Sequence, residues 1–258
     1  MGYKALDLSG RVAVVVGGTS GIGRTLSIGL AEAGADVVPT GRRADRLDEV
    51  CREIEARGRR TLHQPADVAS RASLEALRDA VVGSLGSVDV LVNAAGCTFR
   101  KPTIEVTEAE WDGLLDTNVT GMLRACQVFF ASLKASGRGR IVNIASLTSF
   151  VSFHEVAAYS ASKAAVLSLT RSLGAEWSPH GICVNAIAPG VFRTELNRKL
   201  LDGSNRGREL LQRTPMGRFG KLEELVGAAI LLASDAASFI TGQSLAVDGG
   251  FLASGVNS

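Results

Sequence analysis

The sequence predicts an α/β fold: a single domain built on a doubly wound parallel sheet of seven strands, with helices on both faces. Three observations predict it. Short β-branched runs recur along the chain, longer amphipathic stretches separate them, and glycines cluster between the first run and the stretch that follows. No repeat, low-complexity tract or linker breaks the rhythm, so one domain is expected to cover residues 1–258.

The expected strands are RVAVVV (11–16), DVVPT (36–40), RTLHQ (60–64), VDVLVN (88–93), RIVNIA (140–145), ICVNAIA (182–188) and SLAVD (244–248). They are apolar on both faces, as strands covered by helices on each side must be. Between them, residues 44–57 and 70–85 carry apolar positions three and four apart with charges between, the pattern of crossover helices. Residues from about 191 to 221, rich in Arg, Lys, Asn and Gly, lack a clear strand and are expected to form a mobile segment above the sheet.

Composition excludes several functional classes. The 28 basic residues are scattered among 26 acidic ones, for a net charge of +2, so no basic face marks a nucleic-acid partner. Cysteines 51, 97, 126 and 183 form no C-x-x-C pair, which suits reduced thiols. With only His63, His154 and His180 available, a catalytic metal is poorly supported. No leader pattern opens the chain and no apolar run is long enough to cross a bilayer, so a cytoplasmic protein with no membrane partner is expected.

VGGTSGIG places Gly17, Gly21 and Gly23 after a strand and at the mouth of a helix. A bare backbone there lets a pyrophosphate approach the helix N-terminus, where free N–H groups favour anions. This is the turn of a Rossmann-type sheet, and a flexible turn of another α/β protein is the bland alternative. An acid about 20 residues past such glycines binds the ribose of NAD. Gly41 stands where that acid is expected, and Arg42 and Arg43 offer guanidinium forks suited to a 2′-phosphate. NADP(H) is therefore favoured and NAD(H) stays possible, with Asp45 close enough to complicate the local field.

Tyr159 and Lys163 are four residues apart and share a helix face. An ammonium beside a phenol favours phenolate, which is expected to lower the tyrosine pKa and make Tyr159 an acid or base near neutral pH. Together with NAAG (93–96), TNVTG (117–121), IVNIAS (141–146), YSASK (159–163) and PG (189–190), these motifs make the chain resemble the short-chain dehydrogenase/reductase family, collinearly from residue 11 to about 251. Val16 and Ala94 depart from the family's threonine and second asparagine, and altered local stability rather than lost chemistry is expected from both.

The resemblance implies roles. Tyr159 exchanges a proton with an alcohol or carbonyl oxygen, Ser146 hydrogen-bonds that oxygen, Lys163 holds the nicotinamide ribose, and Asn118 anchors a water leading from Lys163 to solvent. It implies cofactor contacts from Gly17, Thr19, Ser20, Gly21, Ile22, Gly23, Arg42, Arg43, Asp67, Val68, Asn93, Ala94, Gly96, Tyr159, Lys163, Pro189, Gly190 and Thr194. Asp67 is expected at the adenine amino group, Asn93 and Gly96 beside the ribose, and Thr194 at the carboxamide. Caps and turns are the alternative roles of Asp67, Asn93 and Thr194.

Substrate contacts are expected from Thr148, His154, Phe192 and Arg193, with Arg100, Lys101, Arg193 and Arg198 around the pocket mouth. A cation-rimmed pocket suits a sugar, polyol or sugar acid, the gluconate-type members of the family among the resemblances. Phe99, Phe150, Phe153 and Phe192 could instead line an apolar cleft for a bulky ketone. A 3-oxoacyl-thioester reductase and a cofactor-binding sensor without turnover are the further alternatives. The resemblance also implies a homotetramer, through the apolar helices expected at 120–135 and 164–177.

Overall fold

The computed structural model describes residues 3–194, 201 and 203–255. Six parallel strands form its sheet: β1 (Val12–Val16), β2 (Asp36–Thr40), β3 (Val90–Asn93), β4 (Arg140–Ile144), β5 (Cys183–Pro189) and β6 (Ser244–Val247), in the spatial order β2-β1-β3-β4-β5-β6. The order reverses at β1, which pairs with β2 on one side and β3 on the other. That reversal opens a crevice at the C-terminal strand ends, where ligands of such sheets bind.

The seventh strand, expected at 60–64, does not form. One backbone bond joins this segment to the sheet, from Val37 N–H to the Arg60 carbonyl at 3.1 Å. Side chains take over the rest: the Asp36 carboxylate accepts Arg60 N–H at 2.8 Å, and Thr40 Oγ1 donates to the Gln64 carbonyl at 2.9 Å. Pro65, which has no N–H, follows at once.

Alternation along each strand sends side chains to two cores. Val12, Val14 and Val16 meet Leu74 and Leu77 of α3 (Arg71–Leu85), Phe129 of α5 (Gly121–Ala135) and Val166 of α6 (Ala157–Trp177). Ala13 and Val15 face Leu26 and Leu30 of α1 (Gly21–Glu32), Val50 and Ile54 of α2 (Ala44–Glu55) and Leu232 of α8 (Val226–Ala233). A third, smaller cluster joins Leu147, next to Ser146, to Leu210 of α7 (Asn205–Gln212) and to Phe251. It seats α7 over the loop that carries Ser146.

α4 (Glu108–Leu115) and α5 are joined without a break by a wide π turn at Asp116–Thr120. Its extra residue turns Asn118 inward, where the side chain is buried. Gly121 permits this turn, since a Cβ there would stand 2.7 Å from Val68 Cγ2. Among the described residues no helix is long and apolar enough to cross a membrane.

Candidate active site

The glycine turn packs as tightly as its residue types predict. Gly17 has φ +82°, and a Cβ on it would fall 2.5 Å from Ala95 N; one on Gly23 would fall 2.1 Å from the Gly17 carbonyl oxygen. Ala94 and Ala95 thus close on the turn from β3. Gly21 differs: at φ +50° a built Cβ would meet, among the described residues beyond its chain neighbours, just Thr194 Cγ2 at 3.9 Å, which leaves its backbone open. Ser20 precedes α1 without a side-chain cap bond, which leaves first-turn N–H groups for an anion. Ile22 packs into the core and Thr19 is buried against Gly41, where any Cβ would come within 2.7 Å of Thr19 Oγ1. An acid at position 41 is therefore disfavoured by packing as well as absent.

Arg42 is exposed and makes no hydrogen bond or ion pair among the described residues, and Arg43 Nη2 donates to Ser20 Oγ at 3.3 Å. This leaves one free guanidinium at the end of β2, beside the glycine turn. Asp67 accepts Ala69 N–H on Oδ1 at 3.0 Å, and the Val68 carbonyl is taken by Arg124 at 2.6 Å. These contacts fix the turn across which an adenine would lie. Free amides, an open Gly21 backbone and an unpaired Arg42 fit a phosphorylated dinucleotide.

Two expected contacts are turned to other work. The Asn93 side chain points into the sheet, donating to Asn143 Oδ1 at 2.8 Å and Cys126 Sγ at 3.3 Å, so only its backbone borders the crevice. Pro189 ends β5 beside Val247, and Gly190 is needed because a Cβ would stand 2.6 Å from Asp248 Cα.

The four expected catalytic side chains converge at the C-terminal ends of β4 and β5. Ser146 follows β4 as a cap: its Oγ accepts Thr148 N–H at 3.2 Å, while Ser149 Oγ accepts Ser146 N–H at 3.3 Å and donates to the Lys163 carbonyl at 2.7 Å. Held as an acceptor from Thr148, the Ser146 hydroxyl is free to donate. It hydrogen-bonds the phenol of half-buried Tyr159. Lys163 is buried beneath, Nζ donating to the Ile144 carbonyl at 2.8 Å and standing 5.7 Å from the tyrosine ring centroid. Asn118 Oδ1 accepts Cys97 N–H at 2.8 Å, and its Nδ2 donates to the Cys97 carbonyl at 2.9 Å and to Ser162 Oγ at 3.1 Å. Gly96 brings the two systems together: a Cβ on it would be 3.3 Å from Asn118 Oδ1 and 3.7 Å from Lys163 Nζ.

The electrostatics correct one expectation. Burial raises the Tyr159 pKa above its ordinary value, outweighing the lowering by the Ser146 bond, and Lys163 does not act as the lowering partner. Its ammonium is directed at a backbone carbonyl, and burial brings its own pKa down to about 8. The ammonium is nonetheless charged at neutral pH and has N–H donors beyond the one given to Ile144.

The substrate side divides. Thr148, two residues after Ser146, is buried with Oγ1 unpartnered among the described residues. The His154 ring is exposed, 3.7 Å from Glu155. Phe192 is not a lining residue: it is 5% exposed, pairs with Gly220 and occupies the space a Cβ there would need. Arg193 lies over the Phe219 ring at 5.6 Å and lines a cavity of about 610 Å³ with residues 217–223, apart from Ser146 and Tyr159. Lys101 is bound to Glu110 of α4 at 2.8 Å, Arg100 to Glu155 at 2.6 Å, and Arg198 lies outside the described residues. The apolar cleft also loses Phe153, which packs on Phe251 at 5.9 Å. The sequence reading missed Ser149, whose spacing of three from Ser146 is a capping pattern, and Arg206, which nothing local marks.

A family model described as enoyl-(acyl carrier protein) reductase matches residues 16–252. The chain is 40% identical over 248 residues to gluconate 5-dehydrogenase of Gluconobacter oxydans (strain 621H), covering 96% of this chain and 97% of that one. It is also 40% identical over 251 residues to 2-dehydro-3-deoxy-D-gluconate 5-dehydrogenase of Dickeya dadantii (strain 3937), covering 97% and 98%. The crystal structure of a gluconate 5-dehydrogenase from Burkholderia cenocepacia J2315 in complex with NADP and tartrate superposes with a TM-score of 0.93 at 40% identity, over 97% of this chain and 98% of that one.

Proposed function

The chain belongs to the short-chain dehydrogenase/reductase family, and from that premise we propose that it is an NADP(H)-dependent oxidoreductase interconverting a secondary alcohol and a ketone on a sugar acid. One observation supports this above the others: the Tyr159 phenol, hydrogen-bonded by Ser146, stands over buried Lys163 at the strand ends where the glycine turn opens. The cofactor supplies the hydride acceptor or donor. Residues of the chain do the rest.

In the oxidative direction Tyr159 takes the proton of the substrate hydroxyl on its phenolic oxygen, and in reduction it returns that proton to the carbonyl oxygen. Ser146, fixed by Thr148 N–H, donates to the same oxygen and stabilises the negative charge that develops on it. Lys163 offers its remaining N–H donors to a ribose and places a positive charge under the phenol. Asn118 holds the Cys97 backbone beside Lys163, which keeps Gly96 close and the ammonium enclosed.

NADP rather than NAD is supported by the free Arg42 and by the packing that excludes an acid at Gly41. A sugar acid is supported by the relatives' names and by the loss of Phe192 and Phe153 from the apolar cleft. The protein acts in the cytoplasm on this reading, consistent with its four free cysteines. We place it in a homotetramer, for which exposed Trp111 on α4 and Leu245 on β6 supply apolar surface; solution scattering at the monomer mass would remove that assignment.

The test is a panel of gluconate, other sugar acids, polyols and a 3-oxoacyl thioester, each with NADP(H) and NAD(H), on wild type and Arg42→Ala. Turnover of sugar acids with NADP is expected, with kcat/KM for NADP falling about 10- to 100-fold in the variant, the range for one charge-assisted hydrogen-bond partner. Turnover with NAD alone overturns the role of Arg42. Turnover of the thioester alone transfers the assignment to 3-oxoacyl reduction, the second reading.

A further inference from the structure

Arg206, in the first turn of α7, is half-buried, and among the described residues no carboxylate pairs with it. Its Nη1 donates to the His154 carbonyl at 3.0 Å, and its guanidinium carbon lies 5.9 Å from the Phe153 ring centroid. The stacked ring covers one face and orients the planar fork. Donors remain beyond the one bound to His154.

The neighbouring charges are mixed in sign. Arg100 is near enough to depress the Arg206 pKa, after burial, while Glu155 and Glu209 act the other way. Glu155 Oε2 is already held by Arg100 Nε at 2.6 Å. Glu155 also has φ +62°, the one left-handed non-glycine residue described, and its carbonyl accepts Lys101 N–H at 2.9 Å. The left-handed backbone of Glu155 thus stands between the residue whose carbonyl Arg206 holds and the carboxylate that Arg100 holds. His154 and Glu155 stand on the loop that runs into α6, five and four positions before Tyr159, and Leu210 of the same α7 as Arg206 packs with Leu147 beside Ser146.

We propose that Arg206, with Arg100 beside it, is the carboxylate-binding subsite that makes this enzyme select acids over neutral polyols. The subsite rests on the sugar-acid reading above. On this proposal the carboxylate of a substrate whose hydroxyl meets Tyr159 accepts hydrogen bonds from the remaining N–H donors of Arg206 beside the 150–156 loop. A neutral polyol leaves both guanidinium groups without that partner. Discrimination is then a property of α7, not of the catalytic residues.

The experiment uses the full chain loaded with NADPH, which prevents turnover of alcohols. Tartrate and its neutral counterpart threitol are titrated calorimetrically into wild type, Arg206→Ala and Arg206→Lys, and kcat/KM is measured in parallel for gluconate and glucitol with NADP. Wild type is expected to bind tartrate, Arg206→Ala to bind it about 10- to 100-fold more weakly with threitol unchanged, and Arg206→Lys to fall between. If Arg206→Ala fails to fold, weaker tartrate binding by Arg206→Lys, which keeps the charge and loses the fork, serves in its place. Equal losses for acid and polyol show a loop-holding role only and overturn the proposal, as does a wild type that does not bind tartrate. If the arginine-dependent tartrate binding holds but no sugar acid is turned over, the substrate reading fails and the subsite stands.

Discussion

The two ends of the sheet are built from the same kinds of polar residue and treat them in opposite ways. At the N-terminal strand ends, Asp89 accepts Val12 N–H at 2.8 Å and Arg138 Nε at 2.9 Å, Arg140 Nε donates to the Ser234 carbonyl at 3.1 Å, and Arg11 pairs with Asp235. Arg11, Asp89 and Arg140 are almost wholly buried, and each is bonded. At the C-terminal ends, two buried hydroxyls beside the catalytic side chains, Thr148 Oγ1 and Ser160 Oγ, have no partner among the described residues. Lys163 is buried there with a single Nζ bond. Since folded proteins pair nearly all buried polar groups, an unpaired set marks where a ligand completes the structure. One end is built for stability and the other holds valences in reserve.

Variants at the two ends should therefore separate activity from stability. Lys163→Met has the largest expected effect on turnover, a fall in kcat/KM of about 10³-fold, as for loss of a proton-transfer system. Thermal stability should hold or rise, because a sparsely bonded buried ammonium is replaced by an apolar chain. The lowered Lys163 pKa adds a sign: the unfolded lysine binds its proton more tightly, so wild-type stability rises as pH climbs from about 8 toward the ordinary 10.5. Denaturant unfolding at several pH values should show that slope in wild type and lose it in the variant.

Asp89→Ala reverses the pattern. It leaves the buried Val12 N–H without its acceptor and takes a partner from the half-exposed Arg138, and about 1–3 kcal/mol of stability should be lost, while kcat of the folded fraction stays at the wild-type value. A fall in kcat without a fall in stability would break the contrast between the ends. Ser146→Ala is the smaller change at the active end. Turnover should drop about 10²-fold. Alcohol oxidation needs the phenolate, so its rate should rise with pH toward the raised Tyr159 pKa; losing the Ser146 bond, which lowers that pKa, should move the rise to still higher pH. A pH–rate profile that moves the other way would contradict the bond.

Local pattern made most of this legible. Strand alternation and glycine spacing located six strands, and the i, i+4 pair with Ser146 and Asn118 named side chains that do converge. What failed depended on contacts between distant segments. The run at 60–64 has strand composition, but Asp36 and Thr40 side chains satisfy it in place of a ladder. Phe192 looks like a pocket aromatic until Gly220, 28 residues on, supplies the hole that buries it. Arg206 sits in a stretch readable only as charged and irregular, and its setting arises from α7 packing on Leu147 and Phe251. The direction of the Tyr159 pKa also escaped, because spacing puts Lys163 on the right face without showing that Nζ turns to Ile144.

The central claim is that the C-terminal end transfers a proton through Tyr159. The most direct measurement follows NADPH formation from gluconate by wild type and Tyr159→Phe, with NADPH affinity determined by fluorescence on both. Turnover that is lost about 10³-fold in the variant, with cofactor affinity retained, is the predicted result. A variant that oxidises gluconate at the wild-type rate would contradict the account.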